Sequence, residues 1–254
     1  MPITIATWNV NGLRARRERF LAWLAEDHPS VVCLQEVKAA PAQLSDDLLT
    51  LEGYWCFWHG AGGYSGVGLH LRRADFPEEP VFFHPGFDHE TRIVAAALGD
   101  LVVASAYVPN GGKDFAAKLT FLEQLRDWVG EVHAQGRRLL LCGDLNVTRT
   151  DQDVHPKERK TGAIGQRPEE RELFAQLLAQ GLVDIGRTLD PDNEGLFTWW
   201  APWRNLRQRN IGWRIDYVLA SASLAAAATA ARVLTDVDGS DHAPVMVVLE
   251  TEPR

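Results

Sequence analysis

Cysteine is scarce in this chain. Three residues in 254 make an odd count without metal-type spacing, and Cys33 in SVVCLQE and Cys142 in LLLCGDLN lie inside apolar runs, where a thiol behaves as a small hydrophobe. The opening stretch MPITIATWNVNG has neither the basic n-region nor the apolar h-region of a secretory signal. No apolar run is long enough to span a bilayer. These absences read as a protein of a reducing compartment, the cytoplasm, with no membrane partner. Positive charge is also short. Against 34 Asp and Glu stand 26 Lys and Arg, a formal net charge of -8, which argues against bulk attraction to polyanions and leaves that task to local basic surface. Pro/Ser-rich linkers, internal repeats and low-complexity segments are missing too, and the alanine-rich ASASLAAAATAARV reads as a connection between strands. Residues 1–254 are therefore expected to form one domain. With 46% hydrophobic and 24% charged residues, the chain can bury a large core.

Short runs rich in Val, Ile and Leu recur at ITIATWN, SVVCLQE, GVGLHL, RIVAAAL, LVVASAYV, RLLLCGDLN, WRIDYVLA and APVMVVLE, each ending near polar residues or glycine. They read as strands. Helical periodicity appears in RARRERFLAWLAED, where Phe20, Leu21, Trp23 and Leu24 share a side, and in FAAKLTFLEQLRDWVGEV. It appears again in PEERELFAQLLAQG, which opens at Pro168 and closes at Gly181. The mixture is α/β.

In α/β folds the carboxyl ends of the strands carry the chemistry. Here those ends hold Asn9 and Asn11, Glu36, Tyr107 and Asn110, then Asp144 and Asn146. Asp216 is expected inside the strand WRIDYVLA, and Asp241 and His242 on the loop entering the last strand. Asn and Asp are favoured turn formers, so each residue alone has a bland explanation. Their recurrence at separate strand ends does not. Carboxylates and carboxamides suit Mg²⁺ or Mn²⁺, whereas zinc calls for more His and Cys. An acid in an apolar strand is expensive to bury unpaired, and a histidine is the natural partner for Asp216.

The stretches TWNVNGLRA, LQEVK, YVPNG, GDLNV, NIGWRIDY and SDHAPV, in their order and separations, resemble the exonuclease III type of abasic-site endonucleases. That group lies within the endonuclease/exonuclease/phosphatase superfamily of deoxyribonuclease-I-like fold. The resemblance covers essentially the whole chain. The Gly-Asp-Leu-Asn step is superfamily-wide, but the full set is specific, and NIGWRIDY points to the abasic-site branch rather than to lipid or inositol phosphatases. The resemblance implies a four-layer sandwich, two packed mixed β-sheets flanked by α-helices. It implies a DNA repair nuclease that hydrolyses the phosphodiester 5′ to abasic sites, with 3′-5′ exonuclease and 3′-phosphatase side activities. Glu36 is implied as principal metal ligand for Mg²⁺, which Mn²⁺ can replace, with Asn9 and Asp241 in or beside the metal shell. Asp144 and Asn146 are implied to activate and orient the water, with a share in the metal shell as the alternative. Tyr107 and Asn110 are implied to contact the scissile phosphate, and His242 with Asp216 to form a dyad facing it, His242 serving either as imidazolium donor or as the base. Trp199, Trp213 and Ile215 match the walls of a pocket for an extruded sugar.

DNA contacts are also expected from Arg14, Arg92 and Lys113, and from Arg207 and Arg209 in WRNLRQRNIGWR, a stretch with Arg204 and Arg214 and no acid. Arginine interleaved with Trp199, Trp200, Trp203 and Trp213 suits phosphate contact beside a stacking platform, and equally suits core packing. The helix-borne Arg14, Arg16, Arg17 and Arg19 read at least as well as a solvated face. Where the family often has Glu-Gly-Arg, this chain has HETRIV, so Arg92 matches but Thr91 replaces the glycine and a different turn is expected. The expected partner is double-stranded DNA with abasic sites or 3′ ends, bound by a monomer. Two other readings stand beside this one: a superfamily phosphatase for a small or lipid phosphoester, and a non-catalytic nucleic-acid-binding protein on the same fold. Retention of Glu36, Asp144 and His242 weighs against the last.

Overall fold

The apolar runs become strands because the fold covers both of their faces. The computed structural model describes residues 2–250. Along the chain the strands are β1 (Ile3–Asn9), β2 (Val31–Gln35), β3 (Tyr54–His59), β4 (Val67–Arg72), β5 (Val81–Phe83), β6 (Ile93–Leu98), β7 (Leu101–Tyr107), β8 (Arg138–Asp144), β9 (Leu182–Asp184), β10 (Asp216–Ser221), β11 (Ala228–Val233) and β12 (Val245–Leu249). They form two six-stranded sheets, ordered β11-β12-β1-β2-β4-β3 and β5-β6-β7-β8-β10-β9. Both are mixed, since β1 lies parallel to β2 and β7 parallel to β8 while the remaining pairs are antiparallel. The helices are α1 (Arg17–Asp27), α2 (Asp46–Leu49), α3 (Phe115–Ala134), α4 (Pro168–Ala179), α5 (Ile185–Leu189) and α6 (Ala222–Ala225).

Side chains alternate between the faces of a strand, and the two sets go to different cores. Ile5, Val31 and Cys33 meet Val103, Leu140, Cys142 and Val218 between the sheets. Their neighbours Ala6, Val32 and Leu34 pack under Phe20, Trp23 and Leu24 of α1. Across the molecule, Val102, Leu139 and Leu141 pack under Phe121 and Leu125 of α3 and Phe174 and Leu177 of α4. The result is helix, sheet, sheet, helix, the four layers that the resemblance implied. Each such aliphatic or aromatic side chain, fully buried, contributes about 1.5–3 kcal/mol.

Every strand read from the sequence is present, and α3 and α4 form where expected. The Asp114 side chain caps α3 by accepting from Ala117 N at 2.9 Å, and Pro168 opens α4. Several expectations are corrected. RARRERFLAWLAED begins with a 3-10 turn over Leu13–Arg16 before α1 starts at Arg17. The alanine-rich segment is more than a connection: it supplies α6 and the edge strand β11. Asp216 is the first residue of β10 rather than an interior one. β3, β5, β9 and β11 add strands that the apolar runs did not announce.

Candidate active site

Strand register alone lines up much of the site. Tyr107 stands opposite Asp144, and Asp144 opposite Asp216, on three adjacent strands of the second sheet. In the first sheet Asn9 pairs with Gln35, and the chain turns at Glu36. Gly143 (φ +151) precedes Asp144, and a Cβ there would lie 1.9 Å from the Ala106 carbonyl oxygen. Only glycine lets β8 close on β7 at that point. Glu36 and Asn146 have φ of 50° and 51°, and Asn11 and Lys38 have 46° and 52°. Left-handed backbone at such residues costs on the order of 1–3 kcal/mol each and persists where the surroundings hold it. Here Gly12 N donates to Glu36 O at 2.7 Å and Lys38 N to Ser65 O at 2.8 Å, and Lys118 Nζ donates to Asn146 O at 2.7 Å.

Asn9 Nδ2 donates to both Glu36 Oε1 (2.9 Å) and Asp144 Oδ2 (2.8 Å), while its Oδ1 accepts from Asn11 N at 3.0 Å. The Tyr107 hydroxyl donates to the same Glu36 oxygen at 2.9 Å. The other oxygen, Oε2, holds the Lys38 ammonium at 2.6 Å. Asp144 Oδ1 accepts from Asn146 N at 2.9 Å, and Asn110 Nδ2 donates to Asn146 Oδ1 at 3.2 Å. His242 Nδ1 lies 2.9 Å from Asp216 Oδ2, and its Nε2 points to Asp144 Oδ2 at 3.9 Å. Thr198 Oγ1 completes this arrangement by donating to Asp216 Oδ2 at 2.6 Å. Asp241 accepts from Asn11 Nδ2 and Trp199 Nε1, both at 2.9 Å.

These groups open on a cleft of about 280 Å³ whose lining includes Glu36, Tyr107, Asn110, Asp144, Asn146, Asp241 and His242. Trp199, Trp213, Ile215 and Ile164 form its apolar walls. The two indoles meet edge to face, 5.5 Å between centroids. Among the described residues the Trp213 Nε1–H has no partner.

The electrostatics separate the acids. Burial raises the Asp144 carboxyl and the neighbouring Asp216 charge raises it further, so that it is pushed up to about 7 despite His242 and Asn9. Burial disfavours a charged His242, but the Asp216 carboxylate overrides it, with Asp144 and Asp241 adding to the effect, and the imidazole is pushed up to about 10. Glu36 is half-shielded by burial, yet the Asn9 and Lys38 bonds hold it below its usual range. Asp241 is likewise depressed, by His242, Trp199 and Asn11 against the effect of burial. Burial and the charges of Glu36 and Asp144 push the Tyr107 phenol up, which keeps it a neutral donor. Ligand atoms of Glu36, Asp144 and His242 lie within 4.8 Å of one another. The Lys38 ammonium already on Glu36 Oε2 marks that carboxylate as a place where positive charge is stabilised.

The structure thus brings together Asn9, Glu36, Tyr107, Asn110, Asp144, Asn146, Trp199, Trp213, Ile215, Asp216, Asp241 and His242. It does not bring the expected DNA-contacting arginines with them. Arg92 is 1% exposed. Its guanidinium is committed to Glu90 and to the Tyr64 hydroxyl and stacks 4.8 Å from the Tyr107 ring centroid, so it buttresses Tyr107 instead of facing solvent. Arg207 is corrected too. It donates to the carbonyls of Ser240 (2.8 Å), Thr235 (3.0 Å) and Val237 (2.7 Å) over the face of Trp200, which makes it a strut for the Asp241 loop. Arg214 is buried in a fork with Asp184 and Asp153. Arg14, Lys113 and Arg209 remain exposed. Thr91 adopts φ 55°, so a threonine holds a conformation that favours glycine. Sequence reasoning named Asn11 without a role and missed Lys38, Thr198, Ile164 and Lys118. Lys38 and Asn11 sit two residues beyond Glu36 and Asn9, a spacing that was visible.

Residues 6–242 match the Endonuclease/Exonuclease/phosphatase family. The exodeoxyribonuclease of Bacillus subtilis is 35% identical over 96% of this chain and 98% of its own length. A 3′-5′ exonuclease of Neisseria meningitidis superposes with a TM-score of 0.89 at 30% identity, over 98% of this chain and all (100%) of the other. An AP endonuclease of Archaeoglobus fulgidus superposes with a TM-score of 0.88 at 26% identity, over 98% and 100% of the two chains. With the cleft's acids, amides and histidine set at the sheet edges as described, the chain belongs to the Endonuclease/Exonuclease/phosphatase family.

Proposed function

We propose that this enzyme is a Mg²⁺-dependent DNA repair nuclease, able to use Mn²⁺, that hydrolyses the phosphodiester 5′ to abasic sites. We extend the reading to 3′-5′ exonuclease and 3′-phosphatase activity on duplex DNA by a cytoplasmic monomer. One observation carries it: a single small cleft holds a depressed carboxylate (Glu36), a carboxyl tuned to about 7 (Asp144) and an imidazole kept protonated to about 10 (His242). The similarity to an exodeoxyribonuclease and to an AP endonuclease supports the choice of substrate. No helix among the described residues is long and apolar enough to cross a membrane.

A phosphodiester repels an incoming hydroxide, so its oxygens must be neutralised and a water deprotonated in line. Glu36 would hold the metal, with Asp241 and Asn9 beside it, and the bound ion supplies charge for the phosphate and leaving oxygens. The chain's own residues do the rest. Asp144, its basicity raised by burial and the Asp216 charge, takes the proton from water, and Asn146, whose backbone N–H donates to Asp144 Oδ1 at 2.9 Å, orients that water. The carboxylate of Asp216 keeps His242 charged, so its Nε2–H is a donor to a phosphate oxygen rather than a base. Tyr107, neutral and anchored on Glu36, offers a second donor. The Trp199 and Trp213 walls accept a bare deoxyribose and exclude a stacked base.

The reading is tested on duplexes carrying an abasic site, a recessed 3′ end or a 3′-phosphate, with Mg²⁺ and under chelation. Incision 5′ to the abasic site is expected, abolished by chelation and, in Glu36→Gln, seen only at raised Mg²⁺. Release of phosphate from small esters with all three duplexes left intact would overturn it.

A further inference from the structure

A second convergence of titratable side chains lies outside the cleft, where the outer strands of the two sheets approach each other. His59 ends β3, the edge strand of the first sheet, and His84 and Asp88 follow β5, the edge strand of the second. His59 Nε2 lies 2.6 Å from Asp88 Oδ2. The rings of His59 and His84 stack at 3.8 Å between centroids, 27° from parallel. One ligand atom from each of the three residues lies within 4.8 Å of the others.

We propose that His59, His84 and Asp88 bind a divalent cation of the Zn²⁺ class, at a site that shares no residue with the catalytic cleft. Two imidazole nitrogens and one carboxylate oxygen are the donors of a borderline metal, whereas Mg²⁺ asks for oxygens alone. Neutral imidazole is the form that ligates. Asp88 is already oriented for the role. Its Oδ1 accepts from Arg92 N at 2.9 Å and Ile93 N at 3.0 Å, which leaves Oδ2 turned to the histidines, as outer hydrogen bonds do for ligating carboxylates. On binding, the cation displaces the hydrogen bond between His59 and Asp88, and the neutral His59 ring ligates through Nε2 with its one proton on Nδ1.

The ion would clip the end of β3 to the segment between β5 and β6. That segment contains the left-handed pair Glu90 and Thr91, both at φ 55°, and leads directly into Arg92 behind Tyr107. The clip therefore braces a strained turn that supports the cleft from outside.

The metal-stripped full chain, titrated with Co²⁺ as a spectroscopic probe and Zn²⁺ as competitor, tests the proposal. A visible band of low-coordinate Co²⁺ should appear in the wild type, survive in Glu36→Gln and bleach with Zn²⁺. In His84→Asn the affinity should fall by at least about tenfold. His84 is exposed, so that variant should keep the metal-free melting temperature and the Mg²⁺-dependent nuclease activity. His59→Gln should weaken the band likewise and serves if the first variant misfolds. An affinity unchanged in both histidine variants, or a band lost in Glu36→Gln and kept in His84→Asn, overturns the site.

Discussion

Asp144 and Asp216 stand side by side on adjacent strands, and two buried carboxylates so placed repel unless a cation lies against them. His242 is that cation. In Asp216→Asn the charge that protects the imidazolium is gone, so its deprotonation should move from about 10 toward the ordinary value near 6.5. The alkaline limb of the pH–rate profile should shift to lower pH, and the rate at pH 8 should fall by roughly 10²-fold. A profile and rate like the wild type's would mean that the pair does not act in catalysis. The same shift makes a statement about stability. A group whose pKa is raised on folding contributes stability that is whole below its unfolded value, near 6.5, and is lost as pH rises through the folded value, about 10. Denaturant melts of chelated protein should therefore show the wild type weakening across that window, and His242→Ala weakening less. The pairing itself was legible, because an acid between Ile215 and Tyr217 in an apolar run needs a partner once buried. The choice between base and donor was not, since it depends on how many carboxylates surround one imidazole.

At the level of elements, the strand ends were readable and the turns leaving them were not. Glu36 and Asn146 take left-handed backbone, a conformation no residue-type rule assigns to glutamate, and other chain segments hold each turn in place. Under Asn146 the support is a buried ion pair. Lys118 of α3 and Glu170 of α4 are both fully buried and bonded to each other, and Glu170 Oε1 also accepts from Gly165 N at 2.6 Å. A lysine and a glutamate on two amphipathic helices read as solvated residues, so this pair escaped the sequence reading. Removing one partner of a buried pair leaves the other uncompensated and costs about 3–5 kcal/mol. Lys118→Met should lose that much stability in urea melts, and Lys118→Met with Glu170→Gln should recover part of it. Additive losses in the double variant would show that the two side chains are not coupled. Alternation explains another misreading. Trp213 and Ile215 face the cleft, so Arg214 between them faces away, into Asp153 and Asp184. Phosphate contact and core packing both suited the basic run, and which of its residues share a face decides between them.

On the scale of the molecule, the α/β mixture was in the strand and helix patterns, whereas the four layers came from the resemblance. The edge strands were harder. β3 (YWCFWH) is half-buried without clean alternation, and β11 is built of small residues, because an edge strand packs fewer neighbours and its pattern is correspondingly weak. Charge poses the larger question, since a chain of net charge -8 must bind a polyanion. Binding then rests on a few local cations, each phosphate neutralised releasing counterions, with log K falling about 0.9 per contact per decade of salt. The structure divides the candidate cations. Arg14, Lys113 and Arg209 are exposed and free to reach phosphates, whereas Arg207 is spent on the carbonyls beneath the Asp241 loop. Replacing Arg209 or Arg14 with alanine should thus reduce the salt slope of duplex affinity by about 1 and leave the melting temperature unchanged. Arg207→Ala should do the opposite: the slope should stay, while the melting temperature drops and the rate falls as the loop carrying Asp241 and His242 loosens. Fluorescence anisotropy across a salt series beside thermal melts separates the two kinds of arginine, and a reduced slope with unchanged stability in Arg207→Ala would return that residue to the DNA surface.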